Sequence, residues 1–557
     1  MDRIWLREYD RDVPRDVDLS AYSSLKALME ESFGKFGDGV AYTNMGVRMT
    51  FSQLDRLSRD FGAFLRGPVG LARGDRVAVM LPNLLQYPVA VLGALRAGLV
   101  VVNVNPMYTP RELEHQLQDS GARTILVMEN FAATVEKVVD HTSVETVITT
   151  RLGDMFPPLK RTAVNFVVKR IRKMVPAFEL GDAIRMTTAL KKGASCDLPD
   201  ETLTHEDIAF LQYTGGTTGV AKGAVLTHGN MVANVLQTSA WLRPVTAQGK
   251  EVIICALPLY HIFALLANCF TFMYLGGENV LITNPRDFGG FVKTLKESRF
   301  TGILGVNTLF NGLLNTPGFS DCDFSQLHMS LGGGMAVQRA VAEKWKEVTG
   351  QPLSEAYGLT ETSPAACINP MTSDSFSGSI GLPIPSTEVS IRDDAGNDLP
   401  MGEVGEIYIH GPQVMREYWQ RPEETENVLS QDRWLCTGDV GRMDEKGYIY
   451  IEDRKKDMIL VSGFNVYPNE VEAVAVEHEG ILEAAAVAVP HPKSGELVKL
   501  FVVRCSEDLT EEEVVAHCRG QLSAYKVPKQ VEFRDSLPKS NVGKILRRAL
   551  RDEAPDS

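Results

Sequence analysis

Residues 213–223 read Y-T-G-G-T-T-G-V-A-K-G, between an apolar run that ends at Leu211 and a second one that begins at Ala224. This order predicts a strand, a loop and a second strand. Glycines allow successive backbone N–H groups to converge on an anion, while threonine hydroxyls and a lysine ammonium add donors and positive charge. The pattern is therefore typical of a polyphosphate-binding loop. A Gly/Thr-rich surface turn without a ligand is the alternative.

The lysine of this loop does not match the Walker motif of nucleotide hydrolases. That motif has Gly directly before the lysine and Ser or Thr directly after it. Here Ala221 precedes Lys222 and Gly223 follows it. The standard hydrolase interpretation is therefore excluded.

Length and charge restrict the class of protein. A chain of 557 residues exceeds what one hydrophobic core usually organises, so we expect two or more domains. The formal net charge of −14 argues against general nucleic-acid binding, because no global positive field attracts phosphate backbones.

The scattered cysteines form no C-x-x-C pair, which is typical of reduced cysteines in a cytosolic protein. The N-terminal residues have no apolar core, so we expect no secretory signal.

The longest apolar tract covers residues 252–275. Pro258, Tyr260 and His261 interrupt it and leave pieces shorter than the ~20 residues that a helix needs to cross a bilayer. The tract is predicted to form a strand, a loop and a buried helix. Tyr260 and His261 then start an apolar helix, either as packed residues or as the wall of an apolar substrate cavity.

The first two hundred residues or so alternate between strand and helix patterns. Residues 76–81 and 124–128 are short apolar runs typical of buried strands. Thr109, Pro110 and Glu112 occupy the N-cap, N1 and capping-box positions of a helix start. This alternation favours a layered α/β architecture.

One segment, residues 164–175, is basic in an otherwise acidic chain. On a helical wheel its apolar residues group within an arc of ~120°. Its cations lie outside that arc, namely Lys169, Arg170, Arg172 and Lys173. This is the pattern of a helix on an anionic membrane surface. Phe166 falls on the polar side, and packing of the apolar stripe on the domain is the alternative.

Two later stretches suit a nucleotide, although each is also compatible with a structural role. Residues 331–335, L-G-G-G-M, permit either the close approach of a flat ligand or a tight strand-to-helix turn. Residues 357–361, Y-G-L-T-E, combine an aromatic ring that can stack on a base with a carboxylate that can bind Mg²⁺.

The last part of the chain predicts a separate small domain. T-G-D at 437–439 precedes a strand pattern, and D-R-K-K at 453–456 is a polar break before a second strand. Beyond it, about a hundred residues carry their own strand and helix pattern, which is enough for a small α+β domain. We place the boundary at D-R-K-K, as a short hinge that absorbs a backbone rotation. Finally, residues 537–548 read L-P-K-S-N-V-G-K-I-L-R-R, with Lys544 on a turn before a helix.

Five of these stretches, in this order, resemble the adenylate-forming superfamily of acyl-CoA synthetases, luciferases and peptide-synthetase adenylation domains. They are the Thr/Gly loop, Y-G-L-T-E, T-G-D, D-R-K-K-D and the terminal G-K. The resemblance covers essentially the whole chain and is closest to bacterial long-chain-fatty-acid–CoA ligases, on stretches such as S-G-F-N-V-Y-P-N-E-V-E at 462–472. It implies a large multi-layered α/β N-terminal domain, residues 1–455, and a small mobile α+β C-terminal domain, residues 457–557, joined by a hinge at Lys456.

The resemblance also implies residue roles. The catalytic set would be Lys544, Thr360, Glu361 and Lys222, with Glu361 also holding Mg²⁺. The nucleotide would be bound by Tyr213, Thr214, Gly215, Gly216, Thr217, Thr218, Gly219, Gly333, Gly334, Met335, Tyr357, Asp439 and Arg454. The path of coenzyme A would follow Ser462, Gly463, Phe464 and Asn465. Candidates for the acyl pocket are Tyr260, His261, Val306 and Thr308.

The implied reaction is ATP-dependent conversion of a long-chain fatty acid to acyl-CoA through an acyl-adenylate, with release of AMP and pyrophosphate. Its place would be fatty acid metabolism, including β-oxidation. The substrates would be fatty acid, ATP and coenzyme A, with Mg²⁺ as the metal ion. A ligase for medium-chain or aryl acids is one alternative, and a fatty-acid binding or uptake protein is another. The expected location is the cytoplasm, and peripheral contact with the inner face of the membrane and a homodimer both remain open.

Overall fold

The computed structural model describes residues 3–214, 221–491, 494–505, 507–540 and 543–553. Within these ranges the apolar cores divide the chain in two. The larger part has a main core with residues from Trp5 to Ile449 and a second cluster beside it. The smaller part has two clusters with residues from Ile459 to Leu550. The exact boundary at Lys456 stays a prediction.

The strands of the described residues, in chain order, are β1 (Val40–Asn44), β2 (Val47–Thr50), β3 (Arg76–Met80), β4 (Val100–Asn103), β5 (Thr124–Met128), β6 (Thr146–Thr150), β7 (Ile184–Arg185), β8 (Ile208–Thr214), β9 (Lys222–Thr227), β10 (Val252–Cys255), β11 (Glu278–Leu281), β12 (Gly302–Gly305), β13 (Met329–Gly333), β14 (Ser354–Gly358), β15 (Ala365–Ile368), β16 (Leu382–Pro383), β17 (Glu388–Arg392), β18 (Gly405–His410), β19 (Leu435–Met443), β20 (Ile449–Arg454), β21 (Ile459–Val461), β22 (Phe464–Val466), β23 (Ile481–His491), β24 (Gly495–Arg504) and β25 (Gln530–Phe533).

The α-helices, in chain order, are α1 (Leu25–Phe36), α2 (Phe51–Arg66), α3 (Gln86–Arg96), α4 (Pro110–Ser120), α5 (Ala132–Glu136), α6 (Pro158–Phe166), α7 (Met186–Gly193), α8 (His228–Leu242), α9 (Ile262–Ala264), α10 (Phe272–Leu275), α11 (Phe288–Glu297), α12 (Asn307–Leu314), α13 (Arg339–Thr349), α14 (Pro422–Glu426), α15 (Pro468–Ala475), α16 (Glu511–Gln521) and α17 (Arg547–Glu553). Two π-helical stretches, Val167–Ile171 and Leu265–Thr271, continue α6 and α9.

Two mixed sheets dominate the larger part and confirm the expected α/β class. A nine-stranded sheet has the order β16-β15-β14-β13-β12-β10-β11-β1-β2, and a seven-stranded sheet has the order β7-β6-β5-β3-β4-β8-β9. Their central strands are parallel, and antiparallel strands lie at both edges of the first sheet and at the β9 edge of the second. Parallel strands are covered on both faces, which is why β4, β5 and β12 are buried along their whole length.

Local signals explain where several helices begin. Thr109 and Glu112 form the expected capping box at the start of α4, with Pro110 in the first turn. The N-cap of α8 is Thr227, paired with Asn230 in the same way. These polar side chains satisfy backbone N–H groups that a helix start leaves without partners.

Antiparallel sheets complete the fold. The larger part ends in a four-stranded sheet, β17-β18-β19-β20. The smaller part has the order β22-β21-β24-β23 with β25 beside β24, packed against α15, α16 and α17. The small α+β unit expected after D-R-K-K is therefore present.

The tract at residues 252–275 forms β10, a loop and a buried helical segment, as predicted. None of the helices among the described residues is long and apolar enough to cross a membrane.

The helix predicted over residues 164–175 has different bounds. It begins at Pro158, because proline is favoured in the first turn of a helix, and the π-helical stretch continues it to Ile171. The backbone leaves the helix at Lys173, whose φ is 51°. The predicted arc was wrong in two respects: Met174 and Val175 lie beyond the helix, and the wider π turn changes the angular spacing that the wheel assumes.

Candidate active site

Parallel strands bring distant loops to one edge of the nine-stranded sheet. β10, β12, β13 and β14 are neighbours, and their register pairs Gly305 with Gly332 and Gly333 with Ala356. Loops that follow parallel strands meet at the same edge, where ligands of α/β sheets usually bind. The predicted residues that follow these strands are Tyr260, His261, Val306, Thr308, Gly334, Met335, Thr360 and Glu361.

Glycine is favoured at the last residue of β13 by packing and at the next residue by its backbone conformation. A Cβ at Gly333 would lie 2.9 Å from the carbonyl oxygen of Ala356 and 3.1 Å from the ring of Phe263. Gly334 has a φ of 78°, which favours glycine. The tight turn that the sequence allowed is therefore present, and contact of Gly333, Gly334 and Met335 with a nucleotide stays a prediction.

The opening stretch spans a hairpin of the seven-stranded sheet. β8 and β9 are antiparallel, and their register pairs Thr214 with Lys222. The two predicted strands are thus confirmed. The loop residues Gly215, Gly216, Thr217, Thr218 and Gly219 lie outside the described residues. Tyr213 is buried, and its hydroxyl donates to Asp119 Oδ2 at 2.7 Å, so that group is engaged within the protein.

Lys222 and Glu361 meet around one aromatic ring. The Lys222 ammonium lies 5.3 Å from the centre of the Tyr418 ring and forms an ion pair with Glu424. The Tyr418 hydroxyl donates to Glu361 Oε1 at 2.5 Å. The predicted phosphate-binding lysine and the predicted Mg²⁺ ligand therefore share a neighbour, although the sequence separates them by more than a hundred residues.

Tyr357, Asp439 and Arg454 form a second cluster. Register pairing of β19 with β20 sets Asp439 opposite Arg454, whose Nε lies 3.1 Å from Asp439 Oδ1. The Tyr357 hydroxyl donates to Asp439 Oδ2 at 2.6 Å. Burial, together with the nearby Asp439 charge, raises the pKa of Tyr357 well above its usual value. The phenol therefore stays protonated and holds the carboxylate in place.

Lys544 lies beside this cluster although it belongs to the smaller part. Thr308 Oγ1 donates to the carbonyl oxygen of Gly543 at 3.0 Å. This bond holds the turn that carries Gly543 and Lys544, called the lysine turn below, against the start of α12. Burial and the charge of Arg454 lower the pKa of the Lys544 ammonium to about 8, and Asp439 opposes this shift. A cation from the C-terminal end of the chain thus faces a carboxylate and a guanidinium of the larger part.

His261 completes the surroundings of Lys544. Burial, followed by the charge of Lys544, lowers the pKa of His261 to about 4. The imidazole is therefore neutral at pH 7, and its Nδ1 accepts from the Phe263 N–H at 3.4 Å at the start of α9. The main chain at Tyr260 is held by a hydrogen bond, in which its carbonyl oxygen accepts from Gln212 Nε2 at 2.9 Å.

Comparison with known proteins places this geometry in a family. The profile described as "AMP-binding enzyme" matches residues 29–419, and that described as "AMP-binding enzyme C-terminal domain" matches residues 470–544. The chain belongs to the AMP-binding enzyme family. A protein of Escherichia coli O6:H1 named "Long-chain-fatty-acid--CoA ligase" is 58% identical over 554 residues, covering 100% of this chain and 99% of that protein.

Solved structures agree with the fold of this AMP-binding enzyme. The anthranilate CoA ligase AuaEII in complex with anthranoyl-AMP superimposes with a TM-score of 0.85 at 24% identity, covering 96% of this chain and 98% of that one. ATP-bound MatB from Rhodopseudomonas palustris gives 0.81 at 28% identity, covering 95% and 98%. The expected adenylate-forming fold is thereby confirmed.

The predicted hinge and coenzyme A residues of this AMP-binding enzyme lie on the surface. Lys456 is exposed in the turn between β20 and β21. Ser462 and Gly463, with φ of 52° and 84°, form the two-residue turn between β21 and β22. Phe464 is 57% exposed and stacks on Tyr525, with ring centres 4.9 Å apart. The structure thus shows the lysine turn docked and the 462–465 turn facing solvent.

The acyl-pocket candidates divide into two groups. His261 lies beside Lys544, and Tyr260 precedes it in the same loop, whereas Thr308 bonds to Gly543. A Cβ on Gly543 would lie 3.3 Å from Val306 Cγ2. Val306 and Thr308 therefore contact the smaller part, and a role for them in the acyl pocket stays a prediction.

Sequence reasoning missed residues that join the two parts of this AMP-binding enzyme. Arg547 bonds to Asp453 at 2.9 Å and to Glu472 at 2.7 Å, and Asp453 also accepts from the Asn469 N–H at 2.8 Å. Tyr418 and Glu424 were missed beside Lys222. The terminal R-R pair was a visible signal for Arg547, but nothing local indicates its partners.

Proposed function

We propose that this protein is a long-chain-fatty-acid–CoA ligase that uses ATP and forms an acyl-adenylate intermediate. The name of the Escherichia coli relative, at 58% identity over the full chain, supports the substrate class. The position of Lys544 beside Asp439 and Arg454 carries the proposal. It places a desolvated cation next to the carboxylate expected to bind ribose.

The first step is attack of the fatty acid carboxylate on the α-phosphorus of ATP. A P–O bond forms to the carboxylate, and the P–O bond to pyrophosphate breaks. Little covalent chemistry falls to the protein, which must position the reactants and neutralise charge at phosphorus. Lys544 bridges the two anionic groups, Lys222 binds the departing pyrophosphate, and Thr360 contacts the α-phosphate. Asp439 accepts hydrogen bonds from the ribose hydroxyls, and the ring of Tyr357 lies against adenine.

Glu361 is a suitable ligand for Mg²⁺. Magnesium usually binds one or two carboxylates together with substrate phosphates. The described residues contain no cluster of three His, Cys, Asp or Glu side chains around Glu361, and phosphate oxygens and water would supply the other ligands. The Tyr418 hydroxyl donates a hydrogen bond to Glu361 Oε1 and thereby orients the carboxylate. When bound, the ion supplies charge neutralisation on the phosphates.

The second step needs a different arrangement of the two parts. The thiolate of coenzyme A attacks the acyl carbon, and AMP leaves with the electrons of the C–O bond. Lys544 must withdraw, and rotation about Lys456 replaces it with the exposed turn at residues 462–465. This rotation breaks the bonds from Thr308 to Gly543 and from Arg547 to Asp453. We accordingly place the larger domain at residues 1–455 and the smaller at 457–557.

The test is pyrophosphate release and acyl-CoA formation across fatty acids from short to long. We expect both to require fatty acid and ATP, with the highest kcat/KM for long chains. A higher kcat/KM for medium-chain or aryl acids would show that these acids, and not long-chain fatty acids, are the substrate class. Fatty-acid binding without pyrophosphate release would favour a binding protein. Lys544→Ala should lose adenylate formation and retain thioester formation from supplied acyl-adenylate, and equal loss of both would contradict the assigned role.

We also propose that residues 158–175, which comprise α6, the π-helical stretch and the residues after it, bind anionic membrane surfaces from the cytoplasmic side. This contact would bring the enzyme close to its lipid substrate. Exposed apolar side chains in this segment are Leu159 (89%), Phe166 (58%), Ile171 (63%) and Met174 (57%). They lie among Lys169, Arg170, Arg172 and Lys173, in a chain whose net charge is −14. Exposed apolar residues close in sequence to cations complement an anionic lipid surface, and Phe166 is one of these exposed residues.

Vesicle co-sedimentation tests this surface. Changing Lys169, Arg170, Arg172 and Lys173 to Gln should reduce binding to anionic vesicles. A matched control changes the exposed Lys191 and Lys192 of α7 to Gln and should bind normally. Unchanged binding of the fourfold variant would assign the segment a purely structural role.

A further inference from the structure

A carboxylate occupies the phosphate side of the site. The Lys222 ammonium forms an ion pair with Glu424 of α14, and the two side chains are only 20% and 35% exposed. The Oε2 atom of Glu424, which faces the ammonium, is shielded from solvent. The lysine expected to bind pyrophosphate is thus neutralised by the protein itself.

Main-chain hydrogen bonds bring Glu424 to this position. The Trp419 N–H donates to the carbonyl oxygen of Gly223 at 2.7 Å, and the Val225 N–H donates to that of Glu417 at 2.9 Å. The segment before α14 is therefore attached to β9 alongside Lys222. The backbone therefore brings the segment that carries Glu424 close to Lys222, within reach of its side chain.

Glu424 has a second cation within reach. Arg421 Nε lies 3.9 Å from Glu424 Oε1, and Arg421 is itself held by Asp119 at 2.7 Å. If Lys222 turns toward another anion, the Glu424 carboxylate can move to Arg421 without losing all compensation of its charge.

We propose that Glu424 is an internal counter-ion of Lys222, which the pyrophosphate portion of ATP displaces and which recaptures Lys222 as pyrophosphate leaves. The inference rests on the proposed function and adds to it a residue that limits the affinity for pyrophosphate. A lysine has three donors, but a carboxylate and a polyphosphate on the same ammonium repel each other. Binding of the phosphates therefore requires Glu424 to move away.

The test is direct calorimetric binding of pyrophosphate, in buffer with Mg²⁺, to the full chain and its variants. Glu424→Gln keeps the size of the side chain and removes the competing charge. It should bind pyrophosphate about two- to five-fold more tightly, which is the range that partly exposed ion pairs are worth. Pyrophosphate should inhibit acyl-CoA formation more strongly by a similar factor. The matched control is Glu426→Gln, which removes one exposed charge from the same helix and should leave the affinity unchanged.

A double-mutant cycle identifies the partner. In a Lys222→Ala background, Glu424→Gln should no longer increase the affinity for pyrophosphate. Unchanged or weaker binding by Glu424→Gln, an equal gain with Glu426→Gln, or a gain that persists without Lys222 would each overturn the inference. Absence of fatty-acid-dependent pyrophosphate release in the unmodified protein would instead contradict the proposed function, and the binding comparison separates the two failures.

Discussion

Gly543 offers a precise way to disturb the docking of Lys544. This glycine has a φ of 86°, and its carbonyl oxygen accepts from Thr308 Oγ1 at 3.0 Å. A Cβ at this position would lie 2.8 Å from Thr308 Oγ1 and 3.3 Å from Val306 Cγ2. In Gly543→Ala, either the lysine turn or the start of α12 must therefore shift.

Two costs contribute to the magnitude. A positive φ costs an L-residue of order 1–2 kcal/mol, but this cost belongs to the turn itself and is present in both arrangements of the two parts. The steric cost exists only while the turn is docked on Thr308, and overpacking of this kind costs about 1–3 kcal/mol. We expect that amount to be lost from the docked arrangement, so that adenylate formation slows by roughly 5- to 150-fold.

The two half-reactions are measured separately. Fatty-acid-dependent pyrophosphate release reports the first step, and thioester formation from supplied acyl-adenylate reports the second. Gly543→Ala should slow the first and spare the second. Adding Thr308→Ala should restore only part of the first step, because it removes the atom that the new Cβ meets and also the hydrogen bond to the Gly543 carbonyl oxygen. Gly520→Ala is the control, since a Cβ there meets nothing within 4 Å.

An unchanged rate of pyrophosphate release in Gly543→Ala would refute the argument that docking on Thr308 positions Lys544. Equal slowing of both steps would also refute it, because the contact with Thr308 would then not be specific to the first step. The melting temperatures of Gly543→Ala and Gly520→Ala are compared, because a general loss of stability in Gly543→Ala would lower its melting temperature relative to that of the control.

Three further predictions concern the same machinery. The alkaline limb of kcat/KM for the first step should have an apparent pKa of about 8, because Lys544 loses its charge as pH rises through that value; Lys544→Arg should move the limb upward, and a limb that does not move contradicts this. Lys456→Pro should retain pyrophosphate release and lose acyl-CoA formation, because a fixed φ opposes rotation; full turnover would exclude the hinge. Asp453→Asn should weaken the ion pair with Arg547, which joins the two parts, by about 3 kcal/mol and accelerate proteolysis near residue 456. Unaltered cleavage would count against a role of this ion pair in docking the smaller part on the larger one.

Local sequence signals were sufficient for much of the fold. The capping box of Thr109 and Glu112 predicts the start of α4, and the runs at 76–81 and 124–128 predict β3 and β5. Such signals succeed because N-caps, glycine turns and buried strands depend on residues within a few positions of each other. The basic segment shows the limit, since a wheel of constant spacing cannot anticipate the π-helical stretch at Val167–Ile171.

The candidate site was only partly visible in the chain. Motif order indicated Lys222, Glu361, Asp439, Arg454 and Lys544 as members of one site. It did not indicate what each touches, namely Glu424 beside Lys222, the Tyr418 hydroxyl on Glu361 and Thr308 under the lysine turn. These partners come from segments up to a few hundred residues away, where no short-range pattern restricts the choice.

Residues 213–223 by themselves predict a phosphate-binding loop, because glycines and threonines beside one lysine supply the donors and the charge that phosphates require, and that role stays a prediction. Tertiary structure decided how that lysine is held. Backbone hydrogen bonds between β9 and residues 417–419 place Lys222 beside a segment that supplies both a carboxylate and an aromatic ring. Charge and geometry at a site depend on which strands become neighbours, and that depends on packing of the whole sheet rather than on any single stretch of the chain.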